Sequence, residues 1–98
     1  MRHVQFHPLV EDETVSAARY YKDRQDGLDL AFLAEVNSTI VRASEAPLTG
    51  APIQGSIRRM AVRRFPYILV YRVETEAIFV ISVMHQRRHP SYWQDRVS

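Results

Sequence analysis

The chain has 98 residues, 46% of them hydrophobic and 24% charged, a length and balance that allow one modest core and exclude a second domain, a disordered chain or a fibre. It contains no cysteine, which excludes disulfides, thiolate metal sites and cysteine nucleophiles and fits a reducing, cytosolic setting. The formal charge is only +2, yet residues 1–48 carry five basic and eight acidic side chains while residues 49–98 carry eight basic, all arginine, and three acidic.

The first residues, Met1-Arg2-His3-Val4-Gln5, hold no apolar signal stretch, and no apolar run approaches the ~20 residues of a membrane helix, so a soluble protein is expected. His3 to His7 alternates, with Val4 and Phe6 on one side and His3, Gln5 and His7 on the other, as a half-buried strand does. Pro8 ends it and opens a helix to about Gln25, with Glu11-Asp12-Glu13 at its positive end and an apolar stripe of Val15, Ala18 and Tyr21 or Lys22. Asp26-Gly27 breaks the helix. A second runs from Leu28 to Glu45, because Phe32, Leu33, Val36, Ile40 and Ala43 recur at helical spacing, and the short break makes the pair an antiparallel hairpin. Pro47, Gly50, Pro52 and Gly55 predict a turn-rich loop.

From Ser56 the pattern becomes extended. Ile57 to about Arg64 reads as a strand of ambiguous parity, which a bulge or an early end near Arg63 resolves. Tyr67 to Val73 and Ala77 to Met84 are the clearest strands, rich in β-branched and aromatic residues, and Glu74-Thr75-Glu76 joins them as a hairpin. Pro90 and Ser91 open a short terminal helix. The expectation is an α+β fold: an N-terminal strand, then a two-helix antiparallel hairpin packed on one face of a mainly antiparallel sheet, in the order β-α-α-β-β-β. It forms a single domain over residues 1–98.

No glycine-rich phosphate loop, Gly-x-Ser-x-Gly or His-Glu-x-x-His motif occurs. His3, His7, His85 and His89 lie on two strands with no carboxylate in register, so no metal site is expected, and Glu11-Asp12-Glu13 reads as helix-terminal charge. The stronger signal is two basic clusters that a hairpin sheet brings together: Arg58, Arg59, Arg63 and Arg64 around one strand, and His85-Gln86-Arg87-Arg88 closing another. Tyr67, Tyr71, Tyr92 and Trp93 are near them. Guanidinium groups beside flat rings suit single-stranded RNA. The other reading puts the rings in the core and gives the arginines to an acidic partner.

The element order, together with Arg58-Arg59, Phe65-Pro66-Tyr67, Tyr71-Arg72-Val73, Val80-Ile81-Ser82-Val83 and His85-Gln86-Arg87-Arg88-x-Pro90-x-x-Trp93, resembles the RelE/ParE superfamily of bacterial toxins from type II toxin–antitoxin systems, over nearly the whole chain. The resemblance implies a cytoplasmic toxin of a plasmid-stabilisation or stress-response module, silenced by a cognate antitoxin, with no cofactor, no small-molecule substrate and no membrane partner. RelE-like members cleave mRNA on the ribosome; ParE-like members are not nucleases and poison DNA gyrase.

Carried over from the RelE-like set, the catalytic candidates are Arg59, His85, Arg87 and Tyr92, while Ala61 and Ile68 stand where further basic residues are expected. Arg58, Arg63, Arg64, Gln86, Arg88 and Trp93 are the candidates for binding antitoxin or target. The closing Val83-Met84-His85-Gln86 is more similar to ParE-like toxins, which favours gyrase as target and a non-enzymatic action. A RelE-like nuclease and an attenuated relative that only binds antitoxin remain the alternatives.

Overall fold

The computed structural model describes residues 2–97. Strand β1 (His3–Phe6) leads into helices α1 (Leu9–Arg24) and α2 (Leu28–Glu45), followed by strands β2 (Ala51–Gln54), β3 (Ile57–Ala61), β4 (Tyr67–Val73) and β5 (Ala77–His85). The five strands form one sheet in the order β1-β5-β4-β3-β2. Only β1 with β5 is parallel; the other three pairings are antiparallel. The expected α+β architecture is present, with one strand more than the sequence pattern predicts.

That additional strand lies where a loop is expected. Ala51 opposes Arg59 and Pro52 opposes Arg58, before a bulge brings Gln54 opposite Ile57. Proline removes a ladder donor, which an edge strand tolerates, so the Pro and Gly residues that signal a loop here mark a short sheet edge. Among the described residues after β5 no α-helix forms: a single 3-10 turn at Gln94–Arg96 stands where a helix is expected from Pro90.

Gly27, with φ at 85°, supplies the left-handed residue that turns α1 into α2. The buried face of α1 is Val10, Ala17 and Ala18, with Tyr21 half-buried, and Val15 from the expected stripe is exposed. Positions 10, 17, 18 and 21 lie on one side at spacings of 7, 8 and 11, and the centre of that face is about 120° of rotation away from Val15. On α2 the expected Phe32, Val36 and Ala43 are buried, whereas Leu33 is on the outer flank.

Both faces of the sheet are covered. Under the helices, Phe32, Leu69, Tyr71, Ile78 and Val80 are fully enclosed. The opposite face buries Ile57, Val70, Ile81 and Met84 beneath Trp93 of the C-terminal segment. Strand β3 ends early, at Ala61, and the turn after it resolves the ambiguous parity. Arg64 takes a positive φ of 70°, which sends Val62 and Phe65 into the core and leaves Arg63 and Arg64 in solvent. A second irregularity is in β5, where Val70 faces Ser82 but Tyr71 faces Val80, so Ile81 is an inserted residue.

Candidate functional site

Strand β1 accompanies β5 only as far as Val80, whose carbonyl accepts the His7 N–H at 2.9 Å. Beyond Val80 the edge of β5 has no strand beside it, and an unpaired edge is both costly to bury and open to adventitious pairing. Two side chains take the strand's place. The Glu13 carboxylate accepts the Val83 N–H at 3.2 Å and the Ser82 hydroxyl at 3.0 Å, while Arg96 donates to the Ile81 carbonyl at 3.0 Å.

Glu13 and Arg96 also bond to each other at 2.9 Å, with side chains only 12% and 7% exposed. Burial pushes the Arg96 pKa down, but the hydrogen bond and charge of Glu13, with Tyr92 adding, hold it above its ordinary value. The pair therefore fastens the C-terminal segment across β5 to α1. Neither residue stands out in sequence. Glu13 looks like one of three helix-terminal acids, and 83 positions separate it from Arg96, so no local pattern connects them.

Each predicted catalytic residue has a definite location, and they do not converge. Arg59 pairs with Val70 and so projects on the sheet face away from the helices, where it is exposed. His85 pairs with Tyr67 and sets its ring 5.3 Å from that ring, on the helix side. Its Nδ1 accepts the Arg87 N–H at 3.0 Å, so the ring's lone pair is spent on the turn that follows β5. Arg87 lies in that turn, which the Arg88 N–H closes onto the His85 carbonyl at 3.0 Å. Tyr92 is gripped by two guanidinium groups, Arg88 at 4.6 Å and Arg96 at 4.9 Å from its ring centre.

Among the residues expected to bind a partner, two are occupied within the fold. Arg58 lies on the helix side and donates to the carbonyls of Gly50 at 2.8 Å and Leu48 at 3.3 Å, pinning the approach to β2. Trp93 is 2% exposed and is the plug of the outer face. The other four come together: the Gln86 N–H donates to the Pro66 carbonyl at 2.9 Å, stapling the turn after β5 to the turn between β3 and β4. Arg63, Arg64, Arg87 and Arg88 therefore share one end of the sheet, all exposed. The ion pairs Arg72–Glu74 and Glu13–Arg96 involve none of them.

The rings expected beside these arginines are not free to stack on bases. Tyr71 is fully buried and its hydroxyl donates to the Pro47 carbonyl at 2.6 Å. Tyr67 packs against Phe32 at 5.1 Å and Tyr21 at 6.3 Å, and burial pushes its pKa up. Among the described residues, no three histidine or carboxylate side chains converge as metal ligands. No helix of the described residues is long and apolar enough to cross a membrane.

A separate apolar groove of about 400 Å³ lies on the other flank, between β1 and the two helices, walled by Phe6, Val10, Val15, Val36 and Ile40 with Glu11 at its rim. Exposed Leu9 belongs to a second cleft, which it shares with Tyr20, Tyr67, Tyr92 and Arg88. The basic end and the apolar groove are thus two different surfaces.

Comparison with known proteins bears on this arrangement. The model of the ParE toxin of type II toxin-antitoxin system, parDE, matches residues 4–90. The chain is 31% identical over 98 residues to Toxin ParE2 of Mycobacterium tuberculosis, in strain CDC 1551 / Oshkosh and in strain ATCC 25618 / H37Rv, covering 99% of this chain and 93% of the relative. A solved structure described as the chromosomal ParDE TA system from P. aeruginosa superposes with a TM-score of 0.71, covering 87% of this chain and 96% of that one. At 13% identity that likeness concerns the fold alone.

Proposed function

The chain belongs to the ParE family of toxins from type II toxin–antitoxin systems, and from that premise we propose that it poisons DNA gyrase, is silenced by a cognate antitoxin, and does not cleave mRNA. The observation that carries the second half of this reading is the division of the nuclease candidates between the two faces of the sheet. Arg59 is on the outer face and His85 on the inner one. General acid–base chemistry on a single 2′-hydroxyl needs both groups within hydrogen-bond reach of the same few atoms. The His85 Nδ1 is moreover engaged by the Arg87 N–H of the turn that follows β5.

In this reading the toxin acts in the bacterial cytoplasm, where gyrase is, and the pair stabilises the replicon that encodes it. The antitoxin brings apolar side chains to the groove between β1 and the helices. Expression without antitoxin tests the reading. Growth should arrest with DNA-damage signalling while methionine incorporation stays intact at first, and purified toxin should inhibit gyrase supercoiling. Arg59→Ala and His85→Ala should leave the arrest in place. Ribosome-dependent mRNA cleavage lost in either variant would establish the nuclease instead, and growth without arrest would indicate an attenuated relative.

A further inference from the structure

We propose that the sheet end formed by the β3–β4 turn and the turn after β5 binds the phosphate backbone of duplex DNA through Arg63, Arg64, Arg87 and Arg88. The choice of DNA among polyanions rests on the gyrase reading, because a gyrase poison works beside DNA. Three observations favour a nucleic-acid backbone over the alternatives.

First, the end is strongly positive and preorganised. Residues 86–89 and Arg63 and Arg64 are all exposed, and the two turns are fixed to each other by the Gln86–Pro66 bond. The Val62 N–H reaches the Tyr67 carbonyl at 2.9 Å across the first turn, and the His85 ring and carbonyl brace the second. Guanidinium groups on rigid turns meet phosphate bidentately with less ordering cost than groups on a mobile tail.

Second, the exposed side chains of the two turns are all charged or polar, and the apolar cleft of Leu9, Tyr20, Tyr67 and Tyr92 meets this end only at its margin, at His85 and Arg88. A protein partner buries an apolar core within a polar rim, and the exposed large apolar residues, Leu9 and Tyr20 of that cleft among them, all lie outside these two turns. Interfaces with nucleic acid are the polar, positively charged kind. Third, single strands are held by base stacking on aromatic platforms. Here Tyr71 and Trp93 are buried, Tyr67 packs into the core, Tyr92 is gripped by Arg88 and Arg96, and exposed Tyr20 is covered by the Arg24 guanidinium at 4.7 Å. What is left to bind is the backbone of a duplex, read by charge without sequence preference.

Fluorescence anisotropy of a labelled duplex of arbitrary sequence with the purified toxin tests this directly. With about three phosphates neutralised, affinity should fall roughly 40-fold between 50 and 200 mM salt. The variant carrying Arg63→Glu, Arg64→Glu and Arg87→Glu should lose binding at the lower salt, and Lys22→Glu, exposed on α1, should not. Absence of binding by the wild type, affinity indifferent to salt, or an undiminished triple variant would overturn the proposal. So would tighter binding of a glutamate-rich peptide than of the duplex, which would assign the surface to an acidic protein. Supercoiling inhibition is measured in parallel: wild-type toxin that binds DNA but leaves gyrase active sinks the gyrase reading and not the DNA surface.

Discussion

The two faces of the sheet are both covered, the inner one more completely, and by different means. Under the helices, Val10, Ala17 and Ala18 of α1 and Phe32, Val36 and Ala43 of α2 cover the strands. Over the outer face, residues 86–97 cross without regular structure apart from one 3-10 turn, and Trp93 is the only buried residue of that cluster from outside the sheet. The inner cover is redundant, with many modest contributions. The outer cover depends on one large ring and one ion pair, so it is the place where single substitutions act selectively.

Trp93→Ala is expected to have the largest selective effect, about 4 kcal/mol, from lost transfer energy and the cavity left behind. Urea unfolding would measure the cost, and amide exchange would locate it. Protection should fall in the second half of β5 and stay high in α2. A Phe32→Ala variant of similar cost should instead lower protection throughout. Equal patterns from the two variants would mean that the faces are not independent.

Glu13→Ala comes next, at about 3 kcal/mol, because it leaves the Arg96 charge buried without its partner and the Val83 N–H without an acceptor. Changing Glu13 and Arg96 together to methionine should cost less than the sum of the single changes. Strict additivity in that double-mutant cycle would mean that the pair does not act as a unit.

The same contrast explains what was legible in the sequence. Phe32, Val36 and Ala43 repeat at the helical period, and the residues of β4 and β5 are β-branched and aromatic, so the inner core announces itself locally. Strand β2 did not, because Pro52 gives the same signal in a loop and on a sheet edge, and only the pairing with β3 separates the two. The gathering of Arg63, Arg64, Arg87 and Arg88 followed from the expected hairpin, whereas the separation of Arg59 from His85 depends on strand parity and on which side each faces. The Glu13–Arg96 pair exists only in three dimensions. Its reason is the point at which β1 stops, and no residue pattern encodes that.

The smallest expected effect sharpens the contrast chemically. Tyr21, Tyr67 and Tyr71 all pack against the inner core, and burial pushes each pKa above its ordinary value. For an acid whose folded pKa is raised, the unfolded chain loses its proton first. The stabilisation is therefore complete below about pH 10 and is lost as pH rises through and beyond that value. Tyr71→Phe should cost only about 1 kcal/mol near neutrality, since it leaves the Pro47 carbonyl without its donor. It should also flatten the alkaline decline, because one of the three hydroxyl groups whose pKa burial raises is gone. Urea midpoints followed from neutral pH to above pH 10 would check both. A wild-type curve that stays level across that range would mean that the inner face opens to solvent around its tyrosines, and the claim that it is the more tightly sealed of the two would fail.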